Sequence, residues 1–117
     1  MVALVAWGPL ILAALLAPAT PAQSGASNFT LVNGTGDSLS GLSIRRSGTE
    51  DWKSLGSAPA AGAKQPISFS NPDCAFDIRA TIPGAGPVTW ADVNLCDVKS
   101  VTLKHDGSAG AWVDYDH

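Results

Sequence analysis

The residues of this chain that could do chemistry are few: two cysteines, two histidines, ten carboxylates and four tryptophans. Cys74 and Cys96 bound the stretch Cys-Ala-Phe-Asp-Ile-Arg-Ala-Thr-Ile-Pro-Gly-Ala-Gly-Pro-Val-Thr-Trp-Ala-Asp-Val-Asn-Leu-Cys. No metal-type spacing relates them. Their chemistry is therefore a disulfide in an oxidising compartment, or a pair of buried thiols in a reducing one. In a hairpin closed about Ala85 the two would lie opposite each other, where Cα separations of about 4.5–5.5 Å suit a disulfide. Such a bridge contributes about 3 kcal/mol on the chain-entropy account.

Four polar side chains of the same stretch, Asp77, Arg79, Asp92 and Asn94, are candidates for a ligand-orienting pocket on the outer face of the hairpin. The competing reading is a set of cross-strand ion pairs, worth less than about 1 kcal/mol where exposed. Trp52, Trp90 and Trp112 would make a sugar-stacking platform if their rings aligned, and core or edge packing if they did not. Trp90 shares the phase of Val88 and is assigned to the core, which leaves Trp52 and Trp112 as the candidate ligand-binding rings. His105-Asp106 and Asp114-Tyr115-Asp116-His117 hold metal-type side chains without metal-type spacing, so no metal site is assigned. Gly-x-Ser-x-Gly, a phosphate-cradling glycine loop and a helix able to carry a His-Glu motif are all lacking. No catalytic residue and no cofactor is assigned. A hydrolase built from a serine, His105 and an aspartate is the remote alternative, since most secreted domains could supply that set.

The elements that position these residues are short strands. Residues 1–22 are read as a cleaved signal peptide: Met1 to Leu16 is apolar and uncharged, and small residues from Ala17 to Ala22 follow. Cleavage is placed after Ala22, with Ala19 or Ala26 as alternatives. No Lys or Arg precedes the apolar run, and an uncleaved membrane anchor is the competing reading. Residues 23–27 are expected to be a disordered leader, and 28–117 a single β domain. About 95 residues suffice for one modest core. All seventeen charged residues follow position 36, so the mature chain keeps the net charge of −3. That balance argues against nucleic acid and anionic membrane surfaces, which call for basic stripes.

Phe29 and Leu31 alternate with polar residues, as do Leu42 and Ile44, and the glycines between them suggest a hairpin. Trp52 and Leu55 lie in a helical turn or irregular edge, and residues 57–66 in a loop. Residues 67–70 read as a short strand. In the cysteine hairpin Phe76, Ile78, Ala80 and Ile82 share one face. The second arm breaks phase, because Val88 and Trp90 lie one way and Val93 and Leu95 the other. An extra residue near Ala91-Asp92, a β-bulge, reconciles them and makes the cysteine register approximate. Val101-Thr102-Leu103, a turn over 105–110 and a strand over 111–115 complete the chain. The fold expected is all-β: a small antiparallel β-sandwich or partly open barrel of six to seven short strands with one disulfide hairpin.

The pattern Phe29-x-Leu31-x-Asn33-x-Thr35-Gly36, Leu42-x-Ile44, Trp52-x-x-Leu55-Gly56, Ile67-x-Phe69, Cys74-x-x-Asp77-Ile78-Arg79 and Trp90-x-x-Val93-Asn94-Leu95-Cys96 resembles a family of small exported bacterial proteins. The likeness runs from Phe29 to about Leu103. It implies one exported disulfide domain, periplasmic or secreted, and brings no activity with it.

The function expected is therefore a non-catalytic binding or accessory domain of the bacterial envelope. It would act as a monomer, without stable membrane insertion after cleavage, on an envelope protein, a glycan or a small ligand. The alternative is a structural protein acting through a sheet edge. An exposed patch with two of the three tryptophans would favour a ligand. A long unpaired edge strand without Pro or Lys would favour the edge. A histidine bonded to a carboxylate in a cleft would favour an enzyme. The buried face is assigned to Phe76 and Ile78, so Phe76→Ala should cost about 3–5 kcal/mol. Arg79→Ala, on the outer face, should cost less than about 1 kcal/mol. Urea melts of the two variants check this, and a larger loss for Arg79→Ala would invert the face assignment.

Overall fold

The computed structural model describes residues 25–117, and the expected signal segment lies outside them. Among the described residues eight strands form: β1 (Phe29–Asn33), β2 (Ser40–Arg46), β3 (Lys53–Ser54), β4 (Lys64–Ile67), β5 (Ala75–Ile82), β6 (Gly86–Asn94), β7 (Ser100–Asp106) and β8 (Gly110–Asp116). They make two four-stranded sheets, ordered β4-β1-β7-β8 and β3-β2-β5-β6. The all-β sandwich is as expected, with eight strands in place of six or seven. Every pairing is antiparallel except that of β1 with β7, which is parallel. Phe29, Leu31, Val101 and Leu103 of one sheet and Leu42, Ile44, Phe76 and Ile78 of the other form one buried cluster.

The expected β1–β2 hairpin does not form: the two strands lie in different sheets. Alternation cannot distinguish these cases, because strands that face each other across a sandwich carry the same period as strands side by side. What diverts the chain is Asn33, fully buried at the end of β1. Its Nδ2 donates to the carbonyls of Asp37 (2.8 Å) and Pro59 (3.0 Å), and its Oδ1 accepts from the Thr35 hydroxyl (2.7 Å) and amide (3.1 Å). One side chain thus ties together two of the four loops that cross between the sheets.

Two other expectations shift. The strand expected over 67–70 is β4, ending at Ile67, with Pro66 tolerated because β4 is an edge. Phe69 lies beyond it and packs edge-on against Phe29 and Phe76, with centroids at 6.1 and 5.2 Å. The expected disordered leader is ordered in its second half. Ala26 is buried and bridges Asn71, donating to its carbonyl at 2.7 Å.

The cysteine hairpin closes one residue earlier than its symmetry suggests. The Ala85 amide donates to Ile82 O at 3.0 Å, with Pro83 and Gly84 (φ 84°) between them. That is a type II turn, whose third position calls for glycine. Ile82 pairs with Gly86, centring the register on Gly84. The predicted bulge is present: Ile78 pairs with Trp90 but Phe76 with Val93, so Ala91 and Asp92 together oppose Asp77. Asp92 has φ 54°, and Trp90 and Val93 are each 1% exposed, on the same side. The Leu95 amide meets Cys74 O at 2.9 Å, and Cys96 reaches Cys74 from the next position with a Cα separation of 5.1 Å. Cys74 and Cys96 form the expected disulfide.

Replacing Asn33 by Ala should cost about 2–4 kcal/mol, because buried carbonyls lose their donors. Asn33→Asp should cost more at neutral pH, since it faces those carbonyls with a second acceptor. Denaturant midpoints of the two variants test the order.

Candidate functional site

Cross-strand register places Arg45 of β2 opposite Asp77 of β5 on the outer face of their sheet. Asp77 is only 5% exposed despite that position. Its Oδ2 accepts from Arg45 Nε at 2.8 Å, and its Oδ1 from the Ser47 hydroxyl at 2.8 Å and the Asp92 amide at 3.0 Å. The last of these is a bulge amide, satisfied by a side chain across the strand. Burial pushes the Asp77 carboxyl up, but the Asp92 amide, Arg45 and Ser47 together outweigh it and hold it below its ordinary value of 3.8. Arg45 also reaches Glu50 at 3.3 Å and lies 4.5 Å from the centroid of Trp52. The Arg79 guanidinium lies on the same ring at 3.9 Å and makes no ion pair among the described residues. A cation on an aromatic face at such a site gains about 0.5–1 kcal/mol.

The four polar candidates therefore separate. Asp77 and Arg79 join the Arg45–Trp52 cluster. The Asp92 side chain is exposed, and only its amide reaches Asp77. Asn94 turns to the corner before the disulfide, where its Oδ1 accepts from the Cys96 amide at 2.9 Å and its own amide donates to Tyr115 OH at 2.9 Å. Ser47 was not singled out by sequence reading, and Asn33 entered only as a position of the shared pattern, without a role. A Ser-Gly turn beside a strand and an Asn after an alternating run are too common to carry a signal.

The tryptophans also part company. Trp90 is buried, and its Nε1 donates to Lys104 O at 2.8 Å, joining the two sheets. Trp52 lies over one sheet and Trp112 sits in β8 of the other, 40% exposed. No shared aromatic platform results. His105 lies within β7 and not in the turn where it was expected. His117 approaches the Asp97 carbonyl at 3.0 Å. The turn itself is closed by Asp106, whose carboxyl is held below its ordinary value by the Ser108 hydroxyl and the Ser108 and Ala109 amides.

Two surfaces remain as candidates. The first is a pocket of about 240 Å³ beside β2 and β3, with Phe69 and Phe76 among its walls. Its cations are engaged already, Arg46 with Asp73 at 3.3 Å and Lys53 with Asp51 at 2.9 Å. The second is the edge of β8. Of the four sheet edges, β3 has two residues, β4 carries Lys64 and Pro66, and β6 carries Pro87 and the bulge. These are the devices that discourage strand addition. β8, Gly-Ala-Trp-Val-Asp-Tyr-Asp, has no proline, lysine or bulge over seven residues, and its charged side chains are Asp114 and Asp116. It also bears Trp112 and Tyr115, the exposed large hydrophobics among the described residues.

No protein-family model matches the chain. No curated protein matches it either. In fold, it is similar to a protein from Eubacterium rectale whose NMR structure is known. The TM-score is 0.56 at 14% identity, over 83% of this chain and 94% of that one. At that identity the likeness establishes the sandwich architecture alone. Among the described residues no helix is long and apolar enough to cross a membrane.

Removing Asp77 should be among the most damaging changes outside the apolar core. Asp77→Ala strands a half-buried guanidinium, a hydroxyl and the bulge amide, and should cost about 3 kcal/mol. The pH dependence has a definite sign. With the folded pKa below the unfolded one, the stabilisation is present above the ordinary 3.8 and disappears as pH falls through the lowered value. Denaturant melts of wild type and Asp77→Asn should therefore differ at pH 7 and converge in acid. A gap that persists unchanged below the folded pKa would exclude this account.

Proposed function

We propose that the chain is an exported, non-catalytic accessory domain of the bacterial envelope that engages another envelope protein through the free edge of β8. One observation carries this reading. Three of the four sheet edges are blunted by length, proline, lysine or a bulge, while β8 is long and regular, its charges are the carboxylates of Asp114 and Asp116, and Trp112 and Tyr115 are exposed on its two faces. An unblunted edge adds strands through its unpaired backbone groups unless a partner covers it. Support for export comes from the apolar segment 1–16 with its small-residue tail, and from the disulfide, which suits an oxidising compartment. The resemblance to small exported bacterial proteins points the same way. Trp52 and Trp112 lie on different sheets, which removes the main argument for a glycan platform.

A photo-crosslinking amino acid introduced in living cells at position 112, 64 or 79 tests the reading. Position 112 should give one discrete protein adduct, and positions 64 and 79 none. Trp112→Lys should abolish association while changing stability by less than about 1 kcal/mol, as for a surface site. Adducts confined to position 79 would transfer the binding role to the Arg79–Trp52 face.

A further inference from the structure

The β8 edge also carries information about what it accepts. Val113 and Tyr115 pair with Leu103 and Val101, both fully buried, so they lie on the inner face. Trp112, Asp114 and Asp116 therefore share the outer one. On that face β7 sets Lys104 opposite Trp112, but Thr102 opposite Asp114 and Ser100 opposite Asp116. Neither carboxylate has a cation across from it, and neither forms an ion pair among the described residues. An added strand would sit about 4.8 Å away and present its own alternate side chains to these three positions.

Resting on the reading of β8 as a docking edge, we infer that its partner is an extended protein segment with Lys or Arg at two alternate positions and an apolar residue at the third. The basic residues fall opposite Asp116 and Asp114, and the apolar one opposite Trp112. Small or apolar residues between them meet Ala111, Val113 and Tyr115. A second copy of this chain fits poorly. Full-length antiparallel pairing of two β8 strands sets Asp114 against Trp112 and Asp116 against Gly110, and in-register parallel pairing sets each carboxylate against itself. Neither arrangement supplies a cation, and each chain carries a net charge of −3. Like charges directly opposite each other are destabilising.

The purified exported protein can be titrated with Thr-Lys-Val-Lys-Val-Leu-Thr, its reversed sequence, and versions with Glu or Thr in place of Lys. Tryptophan fluorescence, to which Trp112 contributes beside Trp52 and Trp90, reads binding, and amide exchange reads protection along β8. The basic peptide in one direction should bind about tenfold tighter than its neutral and acidic versions, with an affinity that falls as salt rises. The Asp114→Asn/Asp116→Asn double variant should lose that preference and keep the neutral peptide's affinity. Equal affinity for all three versions, with β8 protected, would overturn the basic partner and leave the edge reading standing. No binding by any peptide, with an adduct at position 112 retained, would overturn the extended segment alone. Loss of both would remove the edge reading too, and self-association on sedimentation would replace the basic partner by a second copy.

Discussion

A bulge in an edge strand frees a backbone amide, and a buried amide without an acceptor costs about 1–3 kcal/mol. In this protein the amide is that of Asp92, and its acceptor is the Asp77 carboxylate. Much else depends on that contact. Because the bulge is held, Trp90 and Val93 enter the same core despite an odd number of steps between them. Because Asp77 is charged and nearly buried, Arg45 is drawn across it, and Trp52 covers Arg45 and Arg79 in turn. The outer face of the sheet is thereby organised by a carboxylate whose first task is to stabilise backbone.

At the far end of β1, Asn33 plays an equivalent part for the loops. It is a buried amide side chain with two donors and an acceptor in use, and it holds two of the four crossings between the sheets, β1 to β2 and β3 to β4. The disulfide anchors the opposite end of the β5–β6 hairpin, just past the point where regular pairing stops. Between these fixed points alternation is interrupted at the β6 bulge and at the register shift of β2 between Ser40 and Ser43, and the apolar faces close around both.

The same features govern how the sheets end. The bulge that rescues the phase of β6 also spoils it as a template for another strand, and Pro87 reinforces this. Pro66 and Lys64 do the same for β4. β8 stands apart because it needs neither bulge nor proline to pack: Val113, half-buried, packs against the core, and the Tyr115 hydroxyl accepts from the Asn94 amide. An edge that keeps its template geometry, its aromatic surface and two unpaired carboxylates is the basis of the proposed docking role.

Much of this was legible in the residues alone. Strand periodicity named the buried face of β5, and the phase conflict between Trp90 and Val93 by itself required the bulge. Two cysteines at the ends of one hairpin left a single pairing. These are local properties, decided by a period of two and by turn chemistry within about twenty residues. The separation of β1 from β2, the parallel β1–β7 pair and the burial of Asp77 were not legible. Each depends on partners brought from far along the chain: Pro59 to Asn33, Val101 to Leu31, and Arg45 and Ser47 to Asp77. An aspartate at an outward position reads as solvated until a distant guanidinium covers it. Likewise, only the order of strands in the finished sheets reveals which four strands are left as edges.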